Sequence, residues 1–246
     1  MKSFSLFAAA VAMICVCEAA SEAANSARDA ARQYGAAVRN CDMAWAVDSM
    51  YPPLRRTYAD QLTSRTREAE IARARRVQGL DRETVVEAKA RMAANDKALR
   101  AKYARMGEEM KQRGIEVESY TVGDATAEYV VTPPMAAVSQ VRRDTAGRVR
   151  AENIGTTKER SRIVVLPTTL VISAPAQNGR RTRMERKSYI FAVRDEVITD
   201  KSQPRGTVLN KWYFIDGKTD VNTLRTFFPD LPLYLRLPAS GDRILP

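Results

Sequence analysis

The sequence of 246 residues contains no histidine. Histidine is the side chain whose unperturbed pKa lies nearest neutrality, so its absence removes the usual proton shuttle of neutral-pH catalysis. It also excludes Ser-His-Asp and Cys-His nucleophile systems in their common forms. Zinc sites that use histidine are excluded as well, and the three cysteines are too few for a four-cysteine site. Chemistry that relies on carboxylates, tyrosines or lysines is still open to the chain.

The sequence motifs of several common enzyme and cofactor sites are also missing. The chain has no P-loop, no glycine-rich dinucleotide fingerprint, no EF-hand spacing and no Gly-x-Ser-x-Gly elbow. No internal repeat is evident. We therefore assign no catalytic residue, no metal ligand and no cofactor from the sequence.

The first residues have the pattern of a secretory signal peptide. Lys2 gives a positive start, an apolar run of 14 residues ends at Cys17, and small residues follow. This is the order of positive region, apolar core and cleavage zone in an exported protein. The run is shorter than the roughly 20 residues of a membrane-spanning helix, and no other stretch is long and apolar enough to span. We predict that residues 1–19 are a cleaved signal peptide, with cleavage as late as Ala23 as the alternative, and that the mature protein is periplasmic or secreted.

Cleavage would change the cysteine count but not the net charge. Cys15 and Cys17 leave with the signal peptide, so the mature protein has no internal disulfide, and Cys41 is expected to be buried. The net charge stays at +11 because the losses of Lys2 and Glu18 cancel. For an exported protein, this charge favours anionic surfaces as partners.

The N-terminal part of the mature chain has helical periodicity. Apolar residues spaced three or four apart predict one helix over 25–50, ended by Pro52 and Pro53. A second helical stretch starts near Leu54 and becomes rich in Arg and Glu through Arg76.

A third helix is predicted over 82–113, behind a break at Gly79. Apolar residues repeat every seven positions along it: Val85, Met92, Leu99 and Met106. At 1.5 Å per residue this helix would be roughly 48 Å long, more than a small domain spans. We therefore predict a helical hairpin over 54–113, or a homo-oligomer formed through helix 82–113. The alternative is that helix 82–113 packs along its whole length on the sheet of the same chain.

After Gly114 the apolar period changes to two, which predicts strands. The predicted strands are 116–122 and 125–132 around a Gly123-Asp124 turn, then 162–174, 180–194 and 207–216. Pro167 predicts a bulge or an edge, and the apolar residues on both faces of the last strand predict a central position. Residues 135–157 carry few signals, and 195–206 read as a polar loop. A short helix over 220–228 and an extended Pro-rich tail over 229–246 end the chain.

Helices followed by strands predict an α+β fold with a long antiparallel sheet. Two features carry a resemblance: the opening helix closes in Met50-Tyr51-Pro52-Pro53, and the aromatic last strand ends in Asp216-Gly217. On these features residues 25–228 resemble the nuclear-transport-factor-2-like (cystatin-like) superfamily. The resemblance implies a single α+β domain in which a curved antiparallel sheet wraps a long helix as a cone. That superfamily includes isomerases, dehydratases and many non-catalytic binding modules, so it implies no one activity.

Two groups of side chains are candidate binding residues. Arg181, Arg183 and Lys187 would project from one face of a strand and could bind a phosphate, sulfate or carboxylate polymer. Their alternative role is to solvate a hairpin end and protect a sheet edge. Six aromatic residues could line a cone-shaped pocket, although such residues are also typical of plain core: Tyr34, Trp45, Tyr51, Tyr58, Tyr189 and Trp212.

These observations favour an exported, non-catalytic binding or interaction protein. Its candidate partners are an anionic polymer, a lipid head group or an acidic protein. Nucleic acid is disfavoured by export and by the absence of a recognisable nucleic-acid module. The helical segment 54–113 intersperses sixteen basic with nine acidic residues, which is typical of a solvated face with local ion pairs. The alternative is a small-molecule isomerase or hydrolase that uses a buried carboxylate, for which Asp42, Asp48 and Asp216 are candidates.

Overall fold

A computed structural model describes residues 4–64, 67–77, 84–131, 139–143, 149–153, 157–176, 179–199 and 211–246. In these residues the protein is α+β, as predicted, with an open antiparallel sheet. The helices are α1 (Phe4–Arg39), α2 (Met43–Asp48), α3 (Pro52–Thr63), α4 (Arg67–Val77), α5 (Val85–Gln112) and α6 (Val221–Phe227). The strands are β1 (Glu116–Val122), β2 (Ala127–Val131), β3 (Ser139–Arg143), β4 (Val149–Asn153), β5 (Thr157–Pro175), β6 (Arg181–Thr199), β7 (Tyr213–Asp216) and β8 (Gly241–Leu245).

The single helix predicted over 25–50 is wrong, because α1 and α2 are separate helices. Cys41 lies between them with a left-handed φ of 54°. The amide of Asp42 donates to the carbonyl oxygen of Ala37 at 2.9 Å, which closes α1 in a Schellman-type end. Asp42 then caps α2 through its side chain. Apolar spacing alone does not reveal a non-glycine residue in the left-handed region.

Helices α3 and α5 pack side by side within the segment where the sequence predicts a hairpin. Leu99 is buried against Ala59 and Val47. The carboxylate of Asp96 accepts hydrogen bonds from Nε and Nη2 of Arg55 at 2.5 and 2.6 Å. α5 begins behind a capping box of Thr84 and Glu87, three residues later than predicted. The predicted break at Gly79 lies outside the described residues.

The predicted seven-residue stripe on α5 is only partly buried. Leu99 is 2% exposed, whereas Met92 and Met106 are each 39% exposed. Of these three residues, Leu99 therefore belongs to the core and the two methionines are accessible. The contact between copies through helix 82–113 stays a prediction.

Strands β5 and β6 form a long hairpin at the centre of the sheet. β1 and β2 lie end to end along the outer edge of β5, and β7 and β8 lie end to end along the outer edge of β6. Because β1 and β2 both pair with β5, the segment at Gly123-Asp124 connects two consecutive strands along the same edge of β5, beside Pro167. It is not the turn of a hairpin. The amide of Gly123 donates to the carbonyl oxygen of Pro167 at 2.9 Å. The predicted bulge or edge at Pro167 is therefore wrong: Pro167 lies in a central strand and pairs in register with Tyr189. Its missing N–H is tolerated because it lies where β1 ends and β2 begins along the neighbouring position of the sheet.

The C-terminal part of the chain differs from the sequence prediction in three places. β6 continues to Thr199, so the first part of the predicted loop is strand, in which buried Asp195 accepts a hydrogen bond from Ser161 Oγ at 2.7 Å. β7 lies at the end of the strand order rather than at its centre. In the predicted tail, Leu231 is buried and β8 adds a strand to the sheet. The ambiguous segment 135–157 contains β3 and β4, which pair with each other.

Helices cover both faces of the sheet, which explains why β7 is apolar on both sides. On one face Ala27 and Ala31 of α1 pack on Val164, Leu166 and Phe214. A second cluster occupies the opposite face: Tyr51, Leu54, Ile163, Val165, Phe191, Ile215, Leu224 and Phe228. Adjacent strand residues alternate between the two clusters, as the pleat requires. Within the described chain, none of the helices combines the length and apolarity needed to cross a membrane.

Candidate functional site

A pocket of about 140 Å³ opens between the C-terminal half of α1 and the sheet. α1 contributes Tyr34 and Val38, which are four residues apart and therefore share one helix face. The remaining lining residues come from β1, β5, β6 and the end of β7: Tyr120, Thr168, Leu170, Arg186, Ser188, Tyr189, Ile190, Asp216 and Lys218. Strand register brings these residues together, since Tyr120 lies opposite Leu170 and Thr168 lies opposite Ser188.

The wall of the pocket is aromatic. The ring centroids of Tyr34 and Tyr120 are 6.2 Å apart at an interplanar angle of 70°, an edge-to-face contact. Tyr34 also lies 5.0 Å from the ring of Phe214, in the core beneath. The ring of Tyr120 lies against Gly35, where a Cβ atom would collide with it, so α1 and β1 approach closely at a glycine.

Both tyrosines of this wall hold their protons tightly. Burial, helped by the charge of Asp216, raises the pKa of Tyr34 to about 12. Burial also raises the pKa of Tyr120 well above its usual range, although a hydrogen bond with Thr168 acts in the opposite direction. At neutral pH these phenols are therefore uncharged, and they are suited to hydrogen bonding rather than to acting as bases.

The rim of the pocket is charged, and its arginine is paired with a carboxylate of β8. Arg186 donates from Nε and Nη2 to Asp242 of β8 at 2.7 and 2.6 Å. This pair lowers the pKa of Asp242 and raises that of Arg186. Asp216 is exposed and accepts a hydrogen bond from the backbone amide of Lys218 at 2.8 Å. The rim thus presents both signs of charge around an uncharged aromatic wall.

Of the six aromatic residues predicted to line a pocket, Tyr34 and Tyr189 do so. Tyr51 and Tyr58 belong to the opposite side of the sheet and to the α3–α5 packing, because α3 covers the face that α1 leaves open. Trp212 is buried in the core, with its Nε1 donating to Ser26 Oγ at 3.0 Å. Trp45 lies outside the lining, with its ring centroid 6.5 Å from that of Tyr34.

The predicted basic residues of β6 share one face, but two of them are already paired. Arg181 donates to Ser173 Oγ at 2.8 Å and lies 3.3 Å from Glu116. Arg183 Nη2 lies 2.7 Å from Glu118, and this contact lowers the pKa of the Glu118 carboxyl. The exposed Lys187 lines a second, separate cavity of about 260 Å³ near β8.

The three candidate carboxylates have structural contacts. Asp42 caps α2, and Asp48 forms ion pairs with Arg55 and Arg100, each at 3.0 Å. Asp216 holds the turn after β7. In the part of the chain that the structure describes, no group of three or more acidic or cysteine side chains is placed to hold a metal ion.

Sequence reasoning missed five polar or aromatic residues of the pocket: Tyr120, Thr168, Arg186, Ser188 and Lys218. The strand period places Tyr120, Arg186 and Ser188 correctly within strands, but only the pairing of β1, β5 and β6 shows that they meet. Comparison with known proteins gives no further guide, because no protein-family model, no curated protein and no solved structure significantly matches the chain.

Proposed function

We propose that the protein is an exported, non-catalytic interaction protein whose pocket receives a single side chain of a protein partner. The observation that carries this proposal is the size of the pocket. Small-molecule sites are commonly about 300–1,000 Å³, whereas this pocket measures about 140 Å³. A cavity of about 150 Å³ accommodates one benzene ring.

The lining favours an aromatic side chain with a polar tip. Tyr34, Tyr120 and Leu170 supply a wall for a ring, and edge-to-face contacts with tyrosines are favourable. Lys218 and the Arg186–Asp242 pair supply polar atoms at the rim. A tyrosine side chain of a partner protein matches both the aromatic wall and the polar rim of the pocket.

The isomerase or hydrolase alternative is less well supported. It needs a buried carboxylate that faces the pocket. Asp216 is the carboxylate of the lining, but it is exposed and accepts the Lys218 amide. The buried Asp195 bonds to Ser161 and is not part of the lining.

We also propose that the fold is a variant of the nuclear-transport-factor-2-like cone. Supporting this, α1 lies across one face of the sheet and the pocket opens at its C-terminal end. The variation is that α3 and α6 cover the second face.

Export is part of the same proposal. Ala23 of α1 is buried. Cleavage after Ala19 would keep this residue, whereas cleavage after Ala23 would remove it. The packing therefore favours the earlier site, and the net charge of +11 on the mature chain suits an acidic partner protein.

The test is a titration with N-acetyltyrosine amide, followed by amide chemical shifts. We expect saturable, millimolar binding with shifts centred on Tyr34, Tyr120 and Leu170. Leu170→Trp, which fills the pocket, should abolish it, whereas Val171→Trp on the opposite face of the same strand should not. Absence of saturable binding to a folded wild-type protein, or equal loss in both variants, would contradict the proposal.

A further inference from the structure

A second, larger concavity lies between α3, α4 and α5, on residues that no motif singles out. Its volume is about 660 Å³, within the range of ligand-binding sites. We propose that this groove binds an anion that carries two or more phosphate groups. The lining residues are Asp60, Thr63, Ser64, Ala69, Ala72, Arg73, Arg76, Arg91 and Asn95.

One face of α4 forms a wall of the groove. Ala69, Ala72, Arg73 and Arg76 are spaced three or four apart, so they share that face. The two alanines are small, and the two arginines carry the positive charge of this wall. The groove is therefore polar and open, and it is not a poorly packed apolar interface between helices.

The charges of the groove do not cancel. Asp60 is its carboxylate, and it already accepts a hydrogen bond from Asn95 Nδ2 at 2.8 Å and lies 3.6 Å from Arg91 Nη1. Arg73 and Arg76 form no ion pair with any of the residues that the structure describes. The one carboxylate of the lining is thus already engaged by Arg91 and Asn95 of the same groove, and the charges of Arg73 and Arg76 are left in excess.

This arrangement suits phosphate better than it suits a single carboxylate. A guanidinium presents a planar fork of N–H donors that matches phosphate oxygens two at a time. Arg73 and Arg76 lie one helical turn apart, so one multivalent anion can contact both. Ser64, whose side chain carries a hydroxyl, belongs to the same lining. By contrast, Arg181 and Arg183 of β6 are occupied by Glu116 and Glu118.

The experiment uses the full chain and inorganic pyrophosphate as the probe, measured by calorimetry at low ionic strength. We expect saturable binding that weakens at least about 10-fold in Arg73→Gln with Arg76→Gln, since two charge-assisted contacts are lost. The matched control is Lys102→Gln with Arg105→Gln, two exposed positions of α5 that make the same change in net charge. The control should bind within about twofold of the wild type.

Two further measurements make the result decisive. Pyrophosphate should protect Arg73 and Arg76 from phenylglyoxal, mapped by mass spectrometry, a readout that needs no variant. Vesicles that contain cardiolipin, whose head group carries two phosphates, distinguish a lipid head group from a soluble ligand. Binding to the vesicles that pyrophosphate displaces indicates the head group, and binding of pyrophosphate alone indicates a soluble phosphate. Equal loss in the control variant, or no protection of the two arginines, would overturn the proposal.

Discussion

Gly107 of α5 lies directly against the carbonyl oxygen of Cys41, at the junction between α1 and α2. A Cβ atom at position 107 would collide with that oxygen and would also meet Met43. The left-handed Cys41 and the glycine therefore form one contact, in which a helix passes closely over a turn. This contact fixes α5 against the end of the helix that carries Tyr34.

Gly107→Ala should lower the free energy of unfolding by about 1–3 kcal/mol, the usual cost of overpacking. In a helix interior without a collision, the same change would raise stability by up to about 1 kcal/mol, so the sign of the effect is diagnostic. Urea denaturation measures it. Gly241→Ala is the control, because a Cβ atom there meets nothing within 4 Å. A stabilised Gly107→Ala would show that the approach is looser than described.

Leu99 and Met106 separate the core role of α5 from a contact between copies. Leu99→Ala should cost about 2–5 kcal/mol, since its side chain is buried between α3 and α2. Met106→Lys should cost less than about 0.5 kcal/mol in a monomer, because the side chain is exposed. Light scattering on both proteins tests the predicted homo-oligomer. A wild-type dimer that Met106→Lys dissociates supports a contact through α5, and a strict monomer contradicts it.

Tyr34 should make the protein sensitive to alkaline pH. An unfolded tyrosine loses its proton near pH 10, whereas burial raises the pKa of Tyr34 to about 12 in the folded protein. The stabilisation is therefore complete below pH 10 and is lost as the pH rises from about 10 to 12. Urea midpoints at several pH values measure this loss. Tyr34→Phe should make it smaller, and an identical pH dependence in the variant would assign it to other groups.

Processing of the N-terminus should leave a chain that begins at Ala20. Mass spectrometry of protein recovered from the exporting host gives the terminus directly. Ellman's reagent gives an independent count, because the precursor has three thiols and the mature chain has one. Cys41 is buried, so it should react slowly until the protein unfolds. Three thiols in the exported protein would contradict cleavage.

The helix ends show what a single sequence can and cannot predict. Gly114 predicts the end of α5 because glycine commonly takes the left-handed conformation, and its φ is 64°. Cys41 ends α1 in the same way, with two backbone hydrogen bonds of the same type, but cysteine carries no such signal. The sequence therefore predicts the helix end at Gly114. It does not predict the helix end at Cys41, which a tertiary contact with Gly107 supports.

The candidate site likewise contains some residues that the sequence predicts and others that it does not. Tyr34 and Tyr189 were predicted as pocket residues from their type and spacing, but Tyr51 was predicted with them and lies on the opposite face. Which face of the sheet a helix covers depends on long-range packing, and local periodicity does not encode it. The pairing of Tyr120 with Leu170 joins residues 50 positions apart and includes a register shift between Val117 and Ser119. Such a strand register depends on how the whole sheet is assembled.

Photocrosslinking from the pocket in intact cells tests the proposed function most directly. A benzoylphenylalanine replaces Lys218, the exposed lining residue at the rim of the pocket, and the control carries it at the exposed Lys102 of α5. We expect one discrete protein adduct from position 218, found in the exported fraction, absent from position 102 and lost when Leu170→Trp fills the pocket. Absence of any adduct from position 218 in the exported, folded protein, or an adduct that survives Leu170→Trp, would contradict an interaction protein that docks its partner through this pocket.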